Sequence, residues 1–185
     1  MDKSRITKIS KFLSYVLRHQ PGSIGVELDR HGWAHLPTLF QRARREGTPL
    51  TREVIKKVMA ESSKQRFRIS EDGMYIRAGY GHSVDVELNL DPTTPPALLY
   101  HGTARRNLEG IRDEGVHSGS RNLVHLSAQK ADARTVGQRH GKPVILVVRA
   151  EEMYREGHPF YQSESEPGIW LVEYVPPEFL DNWEQ

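Results

Sequence analysis

The segment Asp91-Pro92-Thr93-Thr94-Pro95-Pro96 stands near the middle of this 185-residue chain. Three prolines within five residues suit neither a helix interior nor a central strand, so the segment reads as a connection. Taken as 84–96, it separates residues 1–83 from residues 97–185, two small units of a size this length permits. The charges divide at the same place. Residues 1–83 hold 16 Lys and Arg against 8 Asp and Glu, whereas residues 84–185 hold 10 against 16. The overall net charge of +2 hides this asymmetry. A basic half fused to an acidic one points to nucleic acid meeting the first half, although two ordinary solvated surfaces would give the same balance.

Several classes of function drop out. With no cysteine, disulfides, thiolate catalysis and cysteine-based zinc sites are excluded. No apolar run approaches the length of a membrane span, and Met1-Asp2-Lys3-Ser4-Arg5 leads into a helix without a cleavable signal pattern. Cytoplasmic residence without membrane attachment is expected. No H-E-x-x-H pair, P-loop or G-x-G-x-x-G fingerprint occurs, so no metal is expected and a nucleotide must be held by other means.

In the first half, Ile6, Ile9, Leu13, Val16 and Leu17 recur at helical spacing, predicting a helix over 4–19 that Pro21-Gly22 ends. Val26 to Leu28 and Trp33 to His35 read as short extended pieces around a turn at His31-Gly32. Further helices are expected over 37–45 and from an N-cap at Thr51. The runs at 66–69 and 74–77, split by Asp72-Gly73, signal a hairpin. Helices followed by a basic hairpin are the order of a winged-helix lobe. In the second half, strands are expected at Ala97–Tyr100, Val124–Leu126, Val144–Val148 and Ile169–Val172, with helices at 108–115 and 131–139. The fold class is α+β.

Four segments carry chemistry. Arg18 and His19 end the first helix, where basic residues also favour the helix dipole. Arg66 opens the hairpin in Lys64-Gln65-Arg66-Phe67, and Arg121 precedes a strand. Guanidinium stays charged and matches phosphate oxygens with paired donors, so three arginines and a histidine make a poor acid–base set but a good anion cradle. In Tyr100-His101-Gly102-Thr103 the glycine admits a ligand to the backbone while His101 and Thr103 offer a ring and a hydroxyl; a plain turn would read the same way. In Val124-His125-Leu126-Ser127, alternation turns His125 away from its apolar neighbours, toward a cleft or toward solvent. Glu164 and Glu166 form a carboxylate pair for which exposed loop charge is the simpler account.

Taken together these segments resemble the RNA 2′-phosphotransferase family over most of the chain. Ser10-Lys11-Phe12-Leu13-Ser14-Tyr15-Val16-Leu17-Arg18-His19, Gly32-Trp33-Ala34, Lys64-Gln65-Arg66-Phe67, Leu99-Tyr100-His101-Gly102-Thr103, Val124-His125-Leu126-Ser127 and Gly168-Ile169-Trp170-Leu171 carry the resemblance, in family order. It implies an N-terminal winged-helix lobe facing RNA and a C-terminal ADP-ribosyltransferase-like lobe binding NAD+. The family's essential Arg-His-Arg-Arg set falls on Arg18, His19, Arg66 and Arg121. NAD+ contacts fall on His101, Gly102, Thr103, His125 and Ser127.

The implied reaction removes an internal 2′-phosphate from a tRNA-like RNA in two steps. The 2′-phosphate attacks the nicotinamide ribose and nicotinamide leaves. The ribose 2″-hydroxyl then attacks phosphorus, giving 2′-OH RNA and ADP-ribose 1″,2″-cyclic phosphate. No metal and no stable protein partner are implied. The chain departs from the family pattern at Asn122-Leu123 and at Pro167-Gly168-Ile169. Two rival readings are a mono-ADP-ribosyltransferase that uses Glu164 or Glu166, and a winged-helix nucleic-acid binder without catalysis.

Overall fold

The computed structural model describes residues 1–183 and resolves into two compact units, Met1–Asn89 and a second from Leu90 onward. The segment expected to connect them is divided between the two. The Val84 and Glu87 N–H groups donate to the carbonyls of Arg18 and Arg30 at 3.3 and 2.9 Å, whereas the Thr93 N–H donates to the Phe160 carbonyl at 2.7 Å.

The first unit holds three helices and a small sheet. Helix α1 (Lys3–Arg18) begins at Asp2, whose carboxylate accepts from the Arg5 N–H at 2.8 Å. That bond holds the Asp2 carboxyl below its ordinary pKa. Helix α2 (Leu36–Arg45) carries Pro37 in its first turn, and α3 (Arg52–Glu61) is capped by Thr51, whose hydroxyl accepts from the Val54 N–H at 3.3 Å. The apolar stripe of α1 packs with Leu36, Leu39, Ile55 and Val58 in one core. Each such buried aliphatic side chain contributes about 1.5–3 kcal/mol through apolar surface removed from water.

The sheet is antiparallel in the order β1-β3-β2, with β1 (Ala34–His35), β2 (Phe67–Ile69) and β3 (Tyr75–Ala78). The turn between β2 and β3 follows from Asp72-Gly73: the Asp72 carboxylate accepts from the Met74 N–H and the Ser70 hydroxyl, and Gly73 takes a φ of 71°. One expectation fails. Val26 to Leu28 form no strand, because Ala34 pairs with Ile76 of the hairpin, leaving Val26 to bury its side chain in the core from irregular backbone.

The second unit is built on a six-stranded antiparallel sheet in the order β7-β8-β5-β4-β6-β9. Its strands are β4 (Leu99–Ala104), β5 (Val124–Ser127), β6 (Pro143–Val148), β7 (Tyr161–Gln162), β8 (Ile169–Val172) and β9 (Leu180–Asp181). Helices α4 (Leu108–Glu114), α5 (Lys130–Gly137) and α6 (Ala150–Arg155) complete it. Leu99, Leu126, Leu146 and Phe160 centre its core, each fully buried. Gly102 has a packing role of its own: a Cβ there would stand 1.7 Å from the Ala133 carbonyl oxygen of α5. The space beside that glycine is thus taken by the helix.

Among the described residues no helix is long and apolar enough to cross a membrane, and no cluster of three or more His, Cys, Asp or Glu is arranged to hold a metal ion.

Candidate active site

Arg18 and His19 sit where α1 ends, and the chain over 80–84 wraps that end. Helix termini leave carbonyls without intrahelical partners, and here the Ser83 and Val84 N–H groups both donate to the Arg18 carbonyl, at 2.9 and 3.3 Å. The Arg18 side chain is buried at 8% exposure, and its guanidinium carbon lies 4.5 Å from the centroid of the Tyr80 ring. A cation over an aromatic face is attracted by the ring quadrupole, more strongly where water is excluded. Gly81, with φ 84°, lets the backbone pass: even a Cβ there would approach the Arg18 Nη1 to 3.5 Å.

The same wrap orients His19. The Ser83 Oγ lies 2.9 Å from its Nδ1, a contact that fixes the plane of the ring. Between these residues His82 is buried at 3% exposure, and among the described residues neither of its ring nitrogens has a hydrogen-bond partner. Burial first, then the charges of Arg18, Arg77 and His19, push its pKa down to about 4. His82 is therefore neutral at physiological pH and adds no third positive charge beside Arg18. Arg77, 7% exposed, lies with its guanidinium carbon 4.7 Å from the Trp33 ring centroid and donates to the His31 carbonyl at 3.3 Å.

Arg66 reaches the same part of the first unit from the start of the hairpin. Its Nη1 donates to the Lys64 carbonyl at 3.2 Å, and its own carbonyl accepts from the Gly79 N–H at 3.0 Å. His19 and Arg66 line a single groove of about 880 Å³ along α1. The groove thus brings together His19 and Arg66, 47 positions apart in the sequence, while Arg18, next to His19 in the chain, has its side chain buried against Tyr80.

The second unit positions the remaining candidates. The His101 ring leans on the strand that carries His125, with Nδ1 3.4 Å from the His125 carbonyl, a contact of ring to backbone. Burial lowers the His101 pKa; the bond to that carbonyl opposes the shift and nearby His140 adds to it. The His125 Nδ1 donates to the Leu123 carbonyl at 3.0 Å, which fixes the proton on Nδ1 and leaves Nε2 as the acceptor. Val124 and Leu126 enter the core while His125 is half-buried, as strand alternation requires.

Thr103 is 4% exposed and its hydroxyl accepts from the Asn107 amide at 3.1 Å; Ser127, 5% exposed, pairs with Tyr100 and Ile169 across the sheet. Arg121 lies on the exposed loop before β5, and its N–H donates to the Ser118 carbonyl at 3.3 Å.

Imidazoles and hydroxyls of this kind are suited to binding a polar ligand rich in sugar hydroxyls. They can both donate to and accept from such groups. Sequence reasoning missed Tyr80, His82, Ser83 and Asn107. The available signal for the first three was Gly79-Tyr80-Gly81-His82-Ser83, an aromatic and a His-Ser pair set among glycines just after a strand.

Comparison with known proteins agrees over nearly the whole chain. The model of the family described as RNA 2′-phosphotransferase, Tpt1 / KptA family, matches residues 4–174. A protein of Agrobacterium fabrum named "Probable RNA 2′-phosphotransferase" is 52% identical over 174 residues, covering 94% of this chain and 92% of that relative. Proteins of the same name from Rhodopirellula baltica and Pectobacterium carotovorum are 50% and 48% identical, the first covering 95% of each chain and the second 98% of this chain and 97% of its own.

Proposed function

Because this chain belongs to the RNA 2′-phosphotransferase, Tpt1 / KptA family, we propose that it removes an internal 2′-phosphate from a tRNA-like RNA with NAD+ as the acceptor. In this reading the first unit is a winged-helix lobe that meets RNA and the second an ADP-ribosyltransferase-like lobe, at work in the cytoplasm. The observation that carries the proposal is the end of α1, where Arg18 is buried and Ser83 holds the His19 ring.

Arg18, Arg66 and Arg121 are assigned to the phosphate. A phosphate monoester is anionic near neutral pH, so it is a ready nucleophile that needs placing and no strong base. Holding such a group in line with its target is worth several powers of ten in rate. When charge later builds on the phosphoryl oxygens, the same guanidiniums stabilise it. His19, its ring held by Ser83, passes a proton to the departing RNA 2′-oxygen.

His101, Gly102, Thr103, His125 and Ser127 are assigned to NAD+. When bound, it supplies the ribose that accepts the phosphate, and the products are nicotinamide, 2′-OH RNA and ADP-ribose 1″,2″-cyclic phosphate. Burial lowers the His101 pKa and so favours the uncharged ring beside a cationic ligand.

The test is incubation with NAD+ and an oligoribonucleotide bearing one internal 2′-phosphate. Loss of the phosphate together with formation of the cyclic co-product is expected, and Arg18→Ala should abolish both. Normal turnover in that variant would overturn the assignment. Retained activity after replacing Glu164 and Glu166 together would remove the protein-modifying alternative, since enzymes of that kind need a carboxylate to activate the acceptor.

A further inference from the structure

Tyr15 is 51% exposed, the most exposed of the large apolar side chains among the described residues, and the core of the unit does not use it. On α1 it lies four residues before His19, so the two share a face. Lys11 stands a further turn back and Lys3 two turns beyond that, all lining the groove that ends at His19 and Arg66. With a rise of about 1.5 Å per residue, Lys11 lies about 12 Å from His19 along the axis and Lys3 about 24 Å. Ser14 on α1 and Ser63 opposite add hydroxyls. Among the described residues neither lysine has an ion-pair partner. The one carboxylate lining the groove, Glu61, is turned to Lys57 at 3.5 Å.

We propose that this groove seats the single strand of RNA flanking the 2′-phosphate, with Tyr15 as the platform on which the neighbouring base stacks and Lys11 and Lys3 meeting the next backbone phosphates. The inference rests on the function proposed above and adds to it a binding track. A cationic groove with one exposed aromatic ring and several hydroxyls is the chemistry that holds an unpaired strand: the ring takes a base of any sequence, the ammonium groups take phosphates, and hydroxyls match ribose 2′-OH groups. A duplex has no free base face to offer Tyr15. The track therefore selects 2′-phosphates in loops or unpaired segments, and reads sequence only weakly.

The test is fluorescence anisotropy of the full chain, without NAD+, against a labelled nine-nucleotide RNA bearing one 2′-phosphate on its central nucleotide. Tyr15→Ala should weaken binding about ten- to a hundred-fold, whereas Tyr15→Phe stays within about threefold of the parent. Replacing the bases beside the phosphate with abasic sites should weaken the parent to the level of Tyr15→Ala and leave that variant unchanged. Lys3→Gln with Lys11→Gln should reduce the slope of log affinity against log salt by about 1.4, the value for two phosphates of a single strand. Unchanged binding in Tyr15→Ala, or an abasic effect equal in both proteins, would overturn the track. Because binding is read without NAD+, a parent that binds in this pattern but fails to turn over would sink the reaction and leave the track standing.

Discussion

The Oγ of Ser83 lies 2.9 Å from Nδ1 of His19, joining residues 64 positions apart. One hydrogen bond at this partly exposed place contributes about 1 kcal/mol to folding. Its larger effect is on the ring, whose orientation it fixes. Ser83→Ala should therefore lower kcat for 2′-phosphate removal about ten- to a hundred-fold while shifting the melting midpoint by only a few degrees. Ser83→Thr, which keeps the hydroxyl, should restore most of the rate. A Ser83→Ala enzyme with parental kcat would show that His19 needs no orienting partner.

Arg18 and Tyr80 form a second such pair. Tyr80→Phe retains the ring face beneath the guanidinium and should leave activity within about threefold of the parent. Tyr80→Leu removes the quadrupole and should lower activity further, with a stability loss of about 1 kcal/mol seen in urea denaturation. In the role proposed for Arg18, Arg18→Lys should not rescue Arg18→Ala, because an ammonium offers phosphate no planar pair of donors.

His82 makes the fold acid-sensitive. Its pKa of about 4 lies below the ordinary histidine value of 6.5, so between pH 6.5 and 4 the unfolded chain takes up a proton that the folded chain refuses. Stability is fully present above pH 6.5 and falls as the pH drops through that window, by up to about 3 kcal/mol for this group. His82→Leu should flatten this part of the acid limb in denaturant titrations at a series of pH values. An unchanged limb in that variant would place the acid sensitivity elsewhere.

Gly102→Ala should be among the most damaging single substitutions. The added Cβ meets backbone of α5 at 1.7 Å, and backbone cannot swing aside as a side-chain tip does. A loss of about 3 kcal/mol or more is expected, or failure to accumulate folded protein. Gly119→Ala, where a Cβ meets nothing within 4 Å although φ is 64°, should lose about 1 kcal/mol, a control for backbone strain without a clash.

Arg121 lies on an exposed loop, and Arg121→Ala should leave the melting midpoint unchanged. In the proposed role the same variant should lose 2′-phosphate removal by at least a hundredfold, read as release of the cyclic co-product.

Much of this was legible in the residues, and for local reasons. The 3.6-residue stripe on α1, the cap at Thr51 and the Asp72-Gly73 turn each depend on neighbours a few positions away, and all three stand where periodicity and turn chemistry put them. The arginines and histidines stood out as candidates because few residue types hold phosphate or a sugar hydroxyl. Strands β7 and β9, two residues each, were not legible: so short a pair of ladders has no period of its own and exists only because β8 and β6 present open edges. For the same reason Val26 to Leu28 misled, since apolar content does not say which partner a strand will find.

The sequence by itself determined the helices, the hairpin and the chemical kinds of side chain available, because those follow from spacing and from the properties of single residues. Only the tertiary structure decided that residues 80–84 fold back over the end of α1, burying Arg18, neutralising His82 and turning His19 by the hydroxyl of Ser83. Orientation and burial are properties of contacts between distant segments, and the distance between Ser83 and His19 becomes short only once the core has placed α1 and β3 side by side.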